Sequence, residues 1–157
     1  MLDFDQLVNK IKGWSSTVRE DRKAKPQAID LDSADLFKVC SYLYADPETY
    51  FDSLSCITGI DQDQETMMVV YNIYSIPFNH HLMLRVAINR DEPEIDSLVP
   101  IWKTAEWHER EAYDLLGIKF KNHPDLRRIL LPSDWTGFPL RKDYEEQQLY
   151  RGVNVAY

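Results

Sequence analysis

The chain has 157 residues, 44% of them apolar and 28% charged, with a formal net charge of −8. This size and balance suit one globular domain that buries its own core, and they exclude disorder or a collagen-like fibre. The acidic balance argues against nucleic-acid binding and against docking on anionic lipid, both of which call for clustered Lys and Arg.

In chain order, Phe4, Leu7, Val8, Ile11 and Trp14 fall at helical spacing, so residues 3–14 read as an amphipathic helix capped by Asp3. Residues 15–26 are polar and read as an exposed strand or loop ending at Pro26, and residues 27–31 as a short strand. Asp32 stands as the cap of a second helix, with Asp35 in a capping-box-like place. Leu36, Phe37, Cys40, Leu43 and Tyr44 line its expected inner face, and Asp46-Pro47 ends it. The middle of the chain reads as β: Leu54, Cys56, Thr58 and Ile60 alternate on one face. The run 66–76 and the alternating Leu82, Leu84, Val86 and Ile88 flank a hairpin turn at Ile76-Pro77-Phe78-Asn79. Residues 94–107 return to helical spacing, with a break expected at Pro100, a new helix from about Thr104, and a stop at Gly117.

Periodicity fades beyond Gly117. Pro124, Pro132, Gly137 and Pro139 punctuate a segment that still carries Phe120, Leu126, Ile129, Leu130, Leu131, Trp135 and Phe138. Long structureless loops are uncommon in compact domains, and disordered ones are poor in such residues. The segment should therefore lie ordered against its own core or another chain. Residues 1–106 carry the whole net charge, and residues 107–157 are dense in charge but balanced. The expected fold is α+β: a small, mostly antiparallel sheet of about four strands under helices over residues 1–116. An irregular, extended C-terminal arm follows over 117–157, packing on that domain and on a partner.

Candidate chemistry is sparse. His108-Glu109-Arg110-Glu111-Ala112 starts like a zinc-hydrolase helix, but the second ligand position holds Ala112. His80 and His81 are adjacent on a strand and point to opposite faces, so they cannot chelate together. Cys40 and Cys56 read as buried free thiols. No phosphate-cradling glycine loop, thiolate cluster or nucleophile elbow is present. Glu109 and Glu111 point about 200° apart on a helix and do not make an acid–base pair. They read instead as partners for Arg127, Arg128 or Arg141, while Arg110 and Asp114, four apart, bridge along the helix, the four together making a structural ion network. The acidic start of the chain reads as no signal peptide, and no apolar run is long enough to cross a membrane, so a soluble cytoplasmic protein is expected.

The run Glu109-Arg110-Glu111-Ala112-Tyr113-Asp114-Leu115-Leu116-Gly117-Ile118, followed by His123-Pro124-Asp125-Leu126-Arg127-Arg128-Ile129-Leu130, resembles the signature of the 30-kDa subunit family of respiratory complex I. In bacteria this is the C subunit of the NADH–quinone oxidoreductase. Asp134-Trp135, Gly137 and Pro139-Leu140-Arg141-Lys142-Asp143-Tyr144 are similar to the family's tail. The resemblance implies a cofactor-free structural subunit. FMN, iron–sulfur clusters and quinone would lie in partner subunits of a proton-translocating complex on the cytoplasmic side of the bacterial inner membrane. It also implies that the arm runs along the large quinone-site subunit of the 49-kDa type. Arg127, Arg128, Trp135, Phe138, Arg141, Lys142 and Asp143 are the candidate interface residues. The alternatives are the equivalent subunit of a membrane-bound hydrogenase or deazaflavin-linked dehydrogenase, a free-standing hydrolase, and a self-pairing scaffold.

Overall fold

The computed structural model describes residues 2–155. Helix α1 (Phe4–Lys12) starts on a capping box: Asp3 accepts from the Gln6 amide, and the Gln6 side chain accepts from the Asp3 amide. Its buried face is Leu7, Val8 and Ile11. Strands β1 (Arg19–Asp21) and β2 (Ala28–Leu31) precede helix α2 (Ser33–Ala45). Strands β3 (Ser53–Asp61), β4 (Thr66–Ser75) and β5 (His80–Asn89) complete a five-stranded sheet in the order β1-β2-β5-β4-β3. All its pairs are antiparallel except β2 with β5. That parallel pair sets Asp30 opposite Arg85, and the guanidinium grips the carboxylate with two bonds of 2.7 and 3.0 Å.

One face of the sheet holds Met67, Val69, Tyr71 and Ile73 of β4 and Leu82, Leu84, Val86 and Ile88 of β5, in one core with Leu7, Val8 and Ile11 of α1 and Leu36, Val39, Cys40 and Leu43 of α2. The alternation expected for β5 is thus the alternation found. The turn at 76–79 is also as expected, with Asn79 in the left-handed region at φ 50°. His80 and His81 stack separately, on Phe51 and Tyr74.

Four local expectations need correction. On α2 the inner face is Leu36, Val39, Cys40 and Leu43, while Phe37 and Tyr44 are exposed. Asp32 occupies the N-cap position without a side-chain cap bond, and Asp35 accepts from Ser15 and Thr17 instead. On β3 an irregularity at Ser55 shifts the register between Leu54 and Cys56. The face therefore flips: Leu54 and Ile57 are buried, whereas Thr58 and Ile60 are exposed. Finally, residues 94–96 are not helical. They form β6 (Glu94–Asp96), which pairs in parallel with β7 (Lys119–Lys121) on the far side of helix α3 (Ala105–Leu116). Ile95 opposite Phe120 seals that pair inside the core. The core thus extends to Phe120. Beyond it the chain is largely irregular, ending in a small hairpin of β8 (Leu149–Tyr150) and β9 (Val153–Asn154).

Candidate functional site

The largest concentration of buried charge surrounds α3, where the C-terminal arm folds back on the helix. Two carboxylates on α3 are wholly buried, and they do different things.

Asp114 holds the arm. Its Oδ2 accepts the backbone N–H groups of Ile129, Leu130 and Leu131 at 3.0, 2.7 and 2.9 Å, and its Oδ1 accepts Arg128 Nη1 at 2.8 Å. Burial opposes its ionisation, but the Leu131 amide, the Arg128 guanidinium and the Ile129 and Leu130 amides outweigh it and hold the carboxyl below its ordinary value. Arg110 does not bridge to Asp114. It donates to the carbonyls of Arg127 and Arg128 at 3.2 and 3.3 Å, with its guanidinium over the Trp107 ring.

Glu109 faces the other way. It accepts Ser97 Oγ at 2.6 Å and the Leu98 amide at 2.7 Å, pinning the chain that leaves β6. No arginine reaches it among the described residues. His123 Nε2 lies 4.0 Å away, but His123 Nδ1 accepts the Asp125 amide and Nε2 sits 3.1 Å from the Glu106 carbonyl. Both ring nitrogens of His123 are thus engaged with backbone groups, and the bonds the carboxylate accepts are those of Ser97 and Leu98. Burial accordingly pushes Glu109 up to about 7 against the two bonds it accepts. Glu111 is exposed and enters no ion pair among the described residues.

The C-terminus of α3 is capped by the arm. Gly117, at φ 77°, ends the helix with its N–H on the Tyr113 carbonyl. The next three carbonyls, which have no helical partner, receive Arg128 on Asp114 O (2.8 Å), the Leu140 amide on Leu115 O (3.0 Å) and Arg141 Nε on Leu116 O (2.7 Å). Two of these donors are cations placed at the negative end of the helix dipole. Phe138 lies between them, its ring 5.2 Å from the Arg128 guanidinium carbon and 4.9 Å from that of Arg141. A methyl on Gly117 would stand 2.6 Å from that ring, so glycine is required twice over. Trp135 donates to the Tyr144 hydroxyl at 3.1 Å and packs against Tyr150.

A second clasp joins the arm to the end of β3. Asp61, 3% exposed at its side chain, is bound by Arg90 through two bonds of 2.7 and 3.0 Å, and it accepts the Lys142 amide at 2.8 Å. Arg90 also holds Asp143 at 2.6 Å. The sequence reading assigned no role to Arg90, Asp61 or Ser97, and it carried His123 only as part of the signature run 123–130. Of the candidate interface residues, Arg128, Arg141, Lys142 and Asp143 are thus joined to the domain. The Arg127 side chain is largely exposed and, among the described residues, its ion pair is with neighbouring Asp125. Around these clasps the arm presents Leu130, Leu140, Leu149 and Val153 to the outside, each more than half exposed.

No group of three His, Cys, Asp or Glu among the described residues could hold a metal ion. No helix among them is long and apolar enough to cross a membrane.

A family described as respiratory-chain NADH dehydrogenase, 30 Kd subunit, matches residues 29–149. The chain is 43% identical over 153 residues to a protein of Chlorobium phaeobacteroides, covering 96% of this chain and 92% of that one. It is 47% identical over 151 residues to one of Geotalea uraniireducens, covering 94% and 91%. Both are named as the C subunit of an NADH-quinone oxidoreductase. A Chloroherpeton thalassium protein of the same name is 44% identical over 120 residues, and the chain spans about half of its length, 50%. Among solved structures, the trypsin-resistant fragment of Nqo5 has a TM-score of 0.68 at 23% identity, covering 78% of this chain and 98% of that one. A chain of the membrane-bound sulfane sulfur reductase, an archaeal respiratory membrane complex, has a TM-score of 0.76 at 18% identity, covering 90% and 85%. These two show that the fold is shared.

Proposed function

This chain belongs to the respiratory-chain NADH dehydrogenase 30 Kd subunit family, and from that premise we propose that it is the structural C subunit of an NADH–quinone oxidoreductase. The near end-to-end match to the Chlorobium protein of that name, over 96% of this chain, carries that reading. The subunit acts within the complex and holds no flavin, iron–sulfur cluster or quinone of its own. FMN, the clusters and quinone belong to partner subunits, which move electrons from NADH to quinone while protons are translocated. The subunit lies peripherally, on the cytoplasmic side of the inner membrane.

Its work is to present an arm, preshaped over residues 121–155, to the large quinone-site subunit. An extended segment that orders only on binding loses conformational entropy at that moment. Asp114, Arg128, Arg141 and the Arg90–Asp61–Asp143 clasp remove most of that loss in advance, since they already bind the arm to the domain. The exposed Leu130, Leu140, Leu149 and Val153 then supply apolar contact area, with Trp135 and Phe138 stiffening the surface beneath them and Arg127 and Lys142 at its rim.

The experiment is affinity purification of the tagged chain from its own cells. The large quinone-site subunit should accompany it, and Leu130→Asp combined with Leu149→Asp should release that partner from a chain that still folds. Recovery of the partner undiminished by the double substitution would refute the arm interface.

A further inference from the structure

The sheet has one edge that the chain leaves open along its centre. Strand β3 is the outer strand. The Gln62 amide donates to Thr66 O at 3.1 Å, and the register then pairs Ile60 with Met68, Thr58 with Val70 and Cys56 with Asn72. Hydrogen-bonded pairs alternate along an antiparallel ladder, so residues 56, 58 and 60 are the ones bonded to β4. Ile57 and Gly59 therefore direct N–H and C=O away from the sheet.

Both ends of this edge are covered by the chain itself. Thr104 Oγ1 donates to Leu54 O at 3.4 Å, and Lys142 donates to Asp61 and to Gln62 O. Between them runs a groove of about 270 Å³, with residues 56–59 on one wall, His108, Glu111, Ala112 and Leu115 of α3 on the other, and Leu140 beside them. Natural edge strands are guarded by Lys, Pro or a bulge. Here the irregularity falls at Ser55, and Cys56-Ile57-Thr58-Gly59-Ile60 carries no such guard.

We propose that this groove receives an extended segment of a neighbouring protein chain as an added strand on β3. Its backbone bonds Ile57 and Gly59, small or apolar side chains enter between Ala112, Leu115 and Leu140, and a Lys or Arg stands opposite Glu111. The occupant is a strand because the groups offered are backbone donors and acceptors at two-residue spacing. It is a different chain because a second copy, itself acidic, would bring Glu111 toward Glu111. The inference rests on the reading of the chain as a subunit and concerns the edge of β3, which meets the exposed face of the arm at Leu140.

Site-resolved amide hydrogen exchange tests it, on the full chain alone and within the co-purified assembly. The Ile57 and Gly59 amides should exchange fast alone and at least about tenfold slower in the assembly, with the Cys56, Thr58 and Ile60 amides unchanged. Glu111→Lys, an exposed substitution, should restore fast exchange at the same two amides. Equal exchange in both states, protection without this alternation, or slow exchange in an isolated chain of doubled mass overturns the inference and leaves the subunit reading standing. A chain that purifies with no partner overturns both.

Discussion

Asp114→Asn removes one charge at the point where the arm is held. If the remaining oxygen keeps the three amides of Ile129, Leu130 and Leu131, the new NH₂ faces the Arg128 guanidinium and sets donor against donor. Breaking a buried charge pair costs ~3–5 kcal/mol. Arg128 is 13% exposed and keeps the Trp135 and Gly137 carbonyls, so the lower end, about 3 kcal/mol, applies. The loss falls on the arm, because the core lies on the other side of α3. At about 1.4 kcal/mol per factor of ten, the population of the released arm rises about 100-fold. Trypsin reads this directly through the arm's Arg127, Arg128, Arg141 and Lys142. Cleavage there should accelerate by about that factor while the urea midpoint of the whole domain moves little. The pH dependence has a definite sign. Asp114 is held below its ordinary 3.8, so it stabilises the arm above that value and the contribution fades as pH falls through the lower folded value. The variant should lack that acid-dependent loss. Cleavage within about twofold of the parent at neutral pH would refute the account of Asp114.

Other perturbations separate the remaining contacts. Glu109 titrates near 7 in the folded chain and lower when unfolded, so its contribution is fully present below about 4.5 and is lost as pH rises through about 7. Glu109→Gln keeps an acceptor for the Leu98 amide and turns its NH₂ to donate to the Ser97 hydroxyl oxygen, and it should flatten that fall, gaining roughly 3 kcal/mol over the parent at pH 8 in urea titrations; parallel pH profiles would contradict it. Gly117→Ala forces a side chain into left-handed backbone and against Phe138, and should cost about 1–2 kcal/mol, read as a Tm lower by several degrees. Arg90→Ala leaves the buried Asp61 carboxylate unpaired and should cost about 3 kcal/mol, with faster exchange of the Lys142 amide; unchanged exchange there would show the clasp to be idle.

The sequence made some of this architecture readable and hid the rest for physical reasons. Period-two alternation located β5 because one face of it is wholly buried, the β-branched and aromatic run 66–76 located β4, and Asp3 and Gly117 marked helix ends because their chemistry is local. Residues 94–96 misled because their partner, Lys119–Lys121, lies beyond a helix, and a three-residue strand has too short a period to register. The face of β3 misled because one irregular residue inverts everything after it. At the site, the acids of α3 were evident but their partners were not. Asp114 binds backbone amides, which leave no trace in composition, and Glu109 turned toward Ser97 rather than to any arginine.

The central claim is that this chain is a subunit whose arm seats a large partner. Affinity purification from native cells, followed by mass spectrometry of parent and Leu130→Asp/Leu149→Asp chains, tests it most directly. The account predicts the large subunit of an NADH–quinone oxidoreductase with the parent and its loss with the variant. A parent chain that emerges alone, or a variant that retains the partner in full, would contradict it.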